Sequence, residues 1–132
     1  MNLQGACHCQ AVKWSLNGPV DGITGCNCTV CSRYGALWAY GYEAEEINVT
    51  GETKTYARGR QNLSFHFCSH CGCVAYWRLN KTDENGKRRI AVNIRLVDDP
   101  KKVSALPIDH FDGLDTFEDL PRDARCVKDL WF

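Results

Sequence analysis

Leu63-Ser64-Phe65-His66-Phe67-Cys68-Ser69-His70-Cys71-Gly72-Cys73-Val74-Ala75-Tyr76-Trp77-Arg78-Leu79 reads as two strands joined by a metal-binding turn. Leu63 to Phe67 alternates, the period of a strand with one buried face, and runs straight into Cys68. Cys68 to Cys71, followed by Gly72, has the shape of a zinc knuckle. Two thiols stand at a chelating separation, and the glycine permits the tight turn that lets backbone N–H groups face the sulfurs. Cys73 to Leu79 is the returning strand. Residues 63–79 are therefore expected to form a hairpin with metal at its tip.

Two further thiol groups precede it: Cys7-His8-Cys9, and Cys26-Asn27-Cys28-Thr29-Val30-Cys31, which places three thiols within one tight turn. The chain carries nine cysteines, an odd number. Thiols one or two residues apart make poor local disulfides because disulfide geometry is restrictive. They make good chelate arms for zinc, which accepts thiolates approaching tetrahedrally from adjacent backbone positions. Metal is therefore preferred over a disulfide or redox reading.

Structural four-cysteine sites usually combine two short chelating pairs that are remote in sequence. Cys7 with Cys9 and Cys68 with Cys71 fit that description, and joining them would staple the N-terminus to the hairpin. The alternative, one shared site with the other thiols incidental, leaves too many clustered thiols for one tetrahedral ion. Cys26, Cys28 and Cys31 then remain. Three protein ligands with one open position is the pattern of a zinc that does chemistry. An incoming thiol, with a pKa of about 8.5 when free, would be held there as thiolate at neutral pH. Cys73 is either a small buried hydrophobe alternating with Ala75 and Trp77 or a fourth ligand that closes the triplet site. Cys126 lies alone in a polar tail and is expected to be unligated. Arg33 either offsets thiolate charge and binds a carboxylate, or is a solvated surface residue.

The rest of the chain reads as further short strands. Gln10 to Asn17 alternates around Val12, Trp14 and Leu16, and Asp21 to Gly25 delivers Cys26. Cys28 to Arg33 is expected to form one helical turn, broken at Tyr34-Gly35. Ala36 to Tyr42, Ile47 to Thr50, Thr53 to Ala57 and Arg89 to Leu96 are expected strands, and Pro100 suits an early helical position. From Pro107 onward the pattern weakens to spaced apolar anchors, Ile108, Phe111, Leu114, Phe117 and Leu120, and a packed irregular tail is expected. The fold class is mainly β: antiparallel sheets with zinc-bearing loops and little helix. A single zinc-binding domain over 1–132 is expected, with a core of about 3–106 and a tail of 107–132.

Sixteen basic residues balance sixteen acidic ones, which argues against polyanion binding, so no nucleic acid partner is expected. The cluster Lys87-Arg88-Arg89 reads as a solvated strand entrance. The opening residues show neither a basic nor an apolar signal region, and no apolar run approaches the roughly 18 residues of a membrane span. A soluble cytoplasmic protein without membrane contact is expected. His8 and His70, set between ligands, should point outward. His66 is expected on the exposed face of its strand, and His110, beside Asp109 and Asp112, is the best acid–base candidate in the tail.

Gly5-Ala6-Cys7-His8-Cys9, Cys26-Asn27-Cys28-Thr29-Val30-Cys31-Ser32-Arg33 and Phe67-Cys68-Ser69-His70-Cys71-Gly72 together resemble the glutathione-dependent formaldehyde-activating enzyme and centromere protein V family. The similarity runs through Val97-Asp98-Asp99-Pro100. The resemblance implies antiparallel sheets with a zinc-bearing end, often called a β-tent. It implies two zinc ions per chain, a structural one on Cys7, Cys9, Cys68 and Cys71 and a second on Cys26, Cys28 and Cys31. It also implies the joining of formaldehyde to glutathione, formally a carbon–sulfur lyase run in reverse. Asn27 stands where relatives commonly carry His, and Cys73 where they carry a non-ligand residue; neither change removes an expected zinc ligand.

Two functions of different class follow. One is a zinc enzyme that adds a glutathione-like thiol to a small electrophile such as formaldehyde, or releases it, with Arg33, Arg58 and Arg60 as carboxylate anchors. The other is a non-catalytic zinc module, a thiol carrier or protein-interaction domain, using strand 36–42 or the tail ending Leu130-Trp131-Phe132. An open triplet favours the first, and closure by Cys73 the second. A methionine-sulfoxide-reductase-like redox enzyme would require Cys126 or Cys73 as nucleophile, and neither has an evident activating base.

Overall fold

The hairpin expected at residues 63–79 is present, and it forms one flank of a large sheet. The fold is that of a computed structural model describing residues 1–131. In chain order the strands are Asn2–Ala6 (β1), Lys13–Asn17 (β2), Ile23–Cys26 (β3), Trp38–Tyr42 (β4), Ile47–Thr50 (β5), Thr53–Tyr56 (β6), Leu63–Cys68 (β7), Val74–Leu79 (β8), Arg89–Asn93 (β9), Ile108–Phe111 (β10) and Asp119–Leu120 (β11). Two short helices, Thr29–Tyr34 (α1) and Val127–Trp131 (α2), complete the set. The fold is thus mainly β, as the alternation in sequence requires.

Strands β1, β2 and β5 make a three-stranded antiparallel sheet. The other eight run in the order β11-β10-β3-β4-β9-β8-β7-β6. Side chains alternate across the large sheet, and this sorts its residues between two apolar clusters. Ile90 and Val92 of β9, with Ala39 of β4, join Leu3, Trp14, Leu16 and Ile47 of the small sheet in one core. Ala91 and Trp38 face the other way and join Phe65, Val74, Cys28 and Cys31. Each large side chain so buried contributes about 1.5–3 kcal/mol. The second cluster therefore fixes α1, and the thiols on it, against the sheet.

Three local expectations need correction, and β1, for which the sequence reading offered no element, pairs along its whole length with β2. The strand expected from Arg89 to Leu96 stops at Asn93, and Ile94–Leu96 forms a 3-10 turn. Asn93 causes this: its side chain accepts from the N–H of Arg95 (3.2 Å) and donates to the carbonyl of Val74 (2.9 Å), competing with the ladder. His66 is not on an exposed face. It is buried, stacked on Tyr76 with ring centroids 4.5 Å apart, and bonded through Nδ1 to Thr53 Oγ1 at 2.8 Å. Burial pulls its pKa down to about 4, so the ring is neutral near pH 7.

The third correction concerns the tail, expected to be irregular. Ile108 to Phe111 instead forms a strand running parallel to β3, with Phe111 opposite Cys26. Only its first residue is fully buried, which is why alternation was too short to register. The C-terminal α2 is tied back by Arg95, whose Nη2 donates to the Leu130 carbonyl at 2.7 Å. Phe132, named above in the tail surface, lies outside the described residues.

Candidate metal centres

Cys7 and Cys9 sit in the turn between β1 and β2, Cys68 ends β7, and Cys71 lies in the knuckle that follows. Their four sulfurs all lie within 4.8 Å of one another. Cys7 and Cys9 Sγ are 3.7 Å apart, and Cys9 and Cys68 Sγ are 3.6 Å apart. A tetrahedral zinc with bonds of about 2.3 Å to sulfur would set its ligands about 3.8 Å from each other. Donor type and spacing therefore both fit zinc. Backbone N–H groups point at the sulfurs: Val12 N to Cys7 Sγ at 3.2 Å, His70 N and Cys71 N to Cys68 Sγ at 3.3 and 3.4 Å. Gly72 takes a left-handed φ of 79° and donates to the Cys68 carbonyl at 3.0 Å, closing the knuckle. The N–H bonds favour thiolate. Those of Cys71 and His70 lower the Cys68 thiol, and those of Cys73 and Cys9 draw Cys71 down to about 5.

The second group is built on α1. Strand β3 ends at Cys26, Cys28 is the N-cap of the helix, and Cys31 lies in its first turn. The cap explains the C-x-x-C spacing, because the Cys28 sulfur accepts from the N–H of Cys31 at 3.3 Å. Cys28 N donates to Cys26 Sγ at 3.5 Å, and the indole Nε1 of Trp38 donates to Cys31 Sγ at 3.4 Å. The three sulfurs lie within 4.8 Å of one another, and among the described residues this group offers three ligand atoms. Cys26 is drawn down to about 5, chiefly by the thiol of Cys31, while Cys31 is pushed up by the same contact and by burial. Ligation of a metal requires both as thiolates.

Cys73, weighed above as a fourth ligand of the triplet, stands elsewhere. Its thiol neighbours Cys71 and Cys7 at the four-thiol group, and burial pushes its pKa up. Cys126 belongs to neither group; its N–H bonds Asp129 Oδ2 at 2.8 Å. His8 and His70 are exposed. His110 bonds Asp123 through Nε2 at 3.1 Å and lines a smaller cavity that Cys26 and Cys31 also border, not the larger one that all three triplet thiols line.

That larger cavity, of about 370 Å³, is floored by Cys26, Cys28 and Cys31. The connection between β6 and β7 brings Arg58, Arg60 and Asn62 to its edge. Arg33 does not reach it: its Nη1 turns back to the Thr29 carbonyl at 2.8 Å, and it lines a neighbouring cleft with Arg58. The sheet contributes Trp38, Phe65, Trp77 and, at the end of β10, Phe111, and the connection after β10 contributes Gly113 and Phe117. Of the lining residues, Gly113 carried no site signal in sequence, although the Asp112-Gly113 dipeptide marked a turn. A Cβ on Gly113 would lie 2.7 Å from Cys26 Sγ and 2.9 Å from Cys28 Cβ, so only a glycine lets this backbone rest on the thiols.

The model of the glutathione-dependent formaldehyde-activating enzyme family matches residues 2–111, from β1 to the end of β10. The chain belongs to this glutathione-dependent formaldehyde-activating enzyme family. No curated protein matches the sequence. Among solved structures, the chain is similar to a crystal structure of a Rhodobacter sphaeroides protein, at 24% identity and a TM-score of 0.59, covering 80% of this chain and 98% of that one. At that identity the likeness speaks to the fold alone. None of the helices in the described residues is long and apolar enough to cross a membrane.

Proposed function

We propose that this chain binds glutathione or a similar thiol in the cavity over Cys26, Cys28 and Cys31 and adds it reversibly to a small carbonyl electrophile such as formaldehyde. The observation that carries this reading is the juxtaposition of three metal-competent thiols with Arg58 and Arg60 around one open cavity. Cys26, Cys28 and Cys31 would hold one zinc, and Cys7, Cys9, Cys68 and Cys71 a second, structural one. When bound at the triplet, zinc supplies a Lewis-acidic position at which a thiol loses its proton near neutral pH.

The chain's own groups do the rest. The N–H groups of Cys28 and Gly113 toward Cys26, and the Trp38 indole toward Cys31, hold the sulfurs in place and offset their charge. Arg58 is steadied by Thr29, whose Oγ1 accepts from its Nη1 at 3.2 Å, and with Arg60 it would pair with the carboxylates of the thiol. Aromatic walls exclude water and hold the carbonyl near the sulfur. In the addition a carbon–sulfur bond forms, the carbonyl π bond breaks, and the thiol proton ends on the carbonyl oxygen. No oxidant or reductant is involved. A chain working with free thiols and glutathione suits a reducing compartment, and we place it in the cytoplasm.

Calorimetric titration of glutathione into zinc-loaded protein and into Cys28→Ser tests the reading. Serine retains the helix cap, so the variant keeps the local fold. The expected result is loss of most glutathione affinity in the variant. Equal affinity in both would refute thiol binding at the triplet.

A further inference from the structure

We propose that the connection over residues 112–117 is an apolar specificity wall, and that the carbonyl substrate carries an aromatic or branched aliphatic substituent that packs against Phe117 and Phe111. This inference rests on the thiol-addition reading above and names the class of electrophile.

Four observations support it. First, the wall is fixed in place. Asn27, between two thiols of the triplet, donates from Nδ2 to Asp112 Oδ1 at 3.1 Å and accepts from the N–H of Leu114 at 3.0 Å. Asp112 in turn accepts from the N–H groups of Asp115 and Thr116, both at 3.2 Å, and its carbonyl accepts from Phe117 N at 2.7 Å. The connection is thus clamped to the metal-binding turn by a reciprocal side-chain bond. Second, Gly113 rests directly on Cys26 and Cys28, so the wall meets the cavity floor without a gap for a side chain.

Third, Phe117 is 73% exposed, stands edge-on to Phe111 with centroids 4.9 Å apart, and has a φ of 58°. A bulky residue adopts that backbone region only where its surroundings impose it, and such positions concentrate at ligand sites. A large apolar ring held at a cavity mouth has surface to gain from a ligand. Fourth, the lining is divided by chemistry: Arg58 and Arg60 come from the β6–β7 connection, Phe111 and Phe117 from the end of β10 and the connection that follows it. A peptide thiol such as glutathione has carboxylates for the arginines but no apolar group for the phenylalanines. Formaldehyde has no carbon substituent to place there. An aldehyde with a ring or branched chain matches the aromatic side. Its addition balances as before: carbon–sulfur bond made, carbonyl π bond broken, proton to oxygen.

The test uses zinc-loaded protein and two stable mimics of the adduct, S-methylglutathione and S-benzylglutathione, titrated by calorimetry. Burial of the benzyl ring against the wall is expected to make the S-benzyl compound about tenfold tighter. The ratio of the two affinities is the readout. Phe117→Ala should reduce it to about threefold or less, Phe117→Leu should restore part of it, and Asp112→Ala should reduce it by freeing the wall. A ratio near one in the unaltered protein, or a tenfold ratio that survives Phe117→Ala, would overturn the proposal. Glutathione titrated into Cys28→Ser separates the two claims, because the S-substituted mimics carry no free thiol. If that titration shows loss but the ratio is one, thiol binding stands and the wall falls. If the ratio depends on Phe117 but glutathione ignores Cys28, the apolar contact stands and the thiol-addition reading it rests on falls.

Discussion

The molecule carries two thiol clusters of the same element chemistry and different completeness. One gathers four sulfurs from two remote turns, with Cys7 and Cys68 buried and backbone N–H groups aimed at them. The other gathers three from a single turn and helix cap and faces a cavity. The difference follows from where the chain runs. A cluster that joins distant segments is completed by both of them and becomes a staple. A cluster made by one local turn has its fourth direction left to whatever enters the cavity. On the function proposed above, ligand number, not ligand type, separates structure from chemistry.

The largest effect that would break or sharpen this contrast comes from removing a sulfur on the stapled side. Structural zinc contributes on the order of 10–16 kcal/mol of apparent binding free energy, comparable with or larger than the whole stability of a typical domain. Cys68→Ser is therefore expected to abolish cooperative unfolding as followed by circular dichroism, whereas Cys26→Ser should leave a folded protein. If both variants melt alike, the two clusters do not differ in role. Chelation gives a second, smaller contrast. With excess chelator, zinc is expected to leave in two phases, the triplet first with retention of near-ultraviolet dichroism, then the four-thiol site with its loss. A single phase would remove the distinction.

A third effect is finer. Trp38→Phe keeps the apolar contacts with Phe65 but deletes the indole bond to Cys31, and should weaken metal at the triplet by about 0.5–1.5 kcal/mol in a competition titration. The smallest effect concerns the wall. Asp112 is held below the usual carboxylate range, chiefly by the Asn27 side chain and then by Thr116. The fold therefore favours its charged form. That contribution is present above the ordinary carboxylate pKa of 3.8 and is lost as pH falls through the lowered folded value. In an NMR titration of the Asp112 carboxyl, Asn27→Ala should move the midpoint up toward the ordinary value; an unmoved midpoint would show that Asn27 does not hold the connection.

Much of this was legible in sequence. Alternation in 63–67 and 13–17 encoded strands because large apolar side chains recur every second residue on a buried face, and thiol spacing encoded chelation because short pairs can bind one ion without moving the backbone. The tail was not legible. Ile108 to Phe111 is a strand because β3 offers it a parallel partner, a fact about distant residues that a four-residue pattern cannot carry. His66 misread for a similar reason: period placed it opposite Phe65, but the second face of that strand is also covered, by Tyr76 and Thr53. The role of Gly113 depends on contact with sulfurs some 85 residues earlier, as the Asn27–Asp112 bond does. Arg33 and Cys73 were near the triplet in sequence or in pattern, and both turn away from its cavity.

Zinc-edge X-ray absorption of the intact protein, before and after addition of glutathione, tests the contrast between the clusters most directly. With both sites loaded, a closed four-sulfur site and an open three-sulfur site should give a mean of about 3.5 sulfurs per zinc, rising to about 4 when a thiol fills the open position. A mean of about 4 before any thiol is added, or one that glutathione leaves unchanged, would contradict an open catalytic triplet.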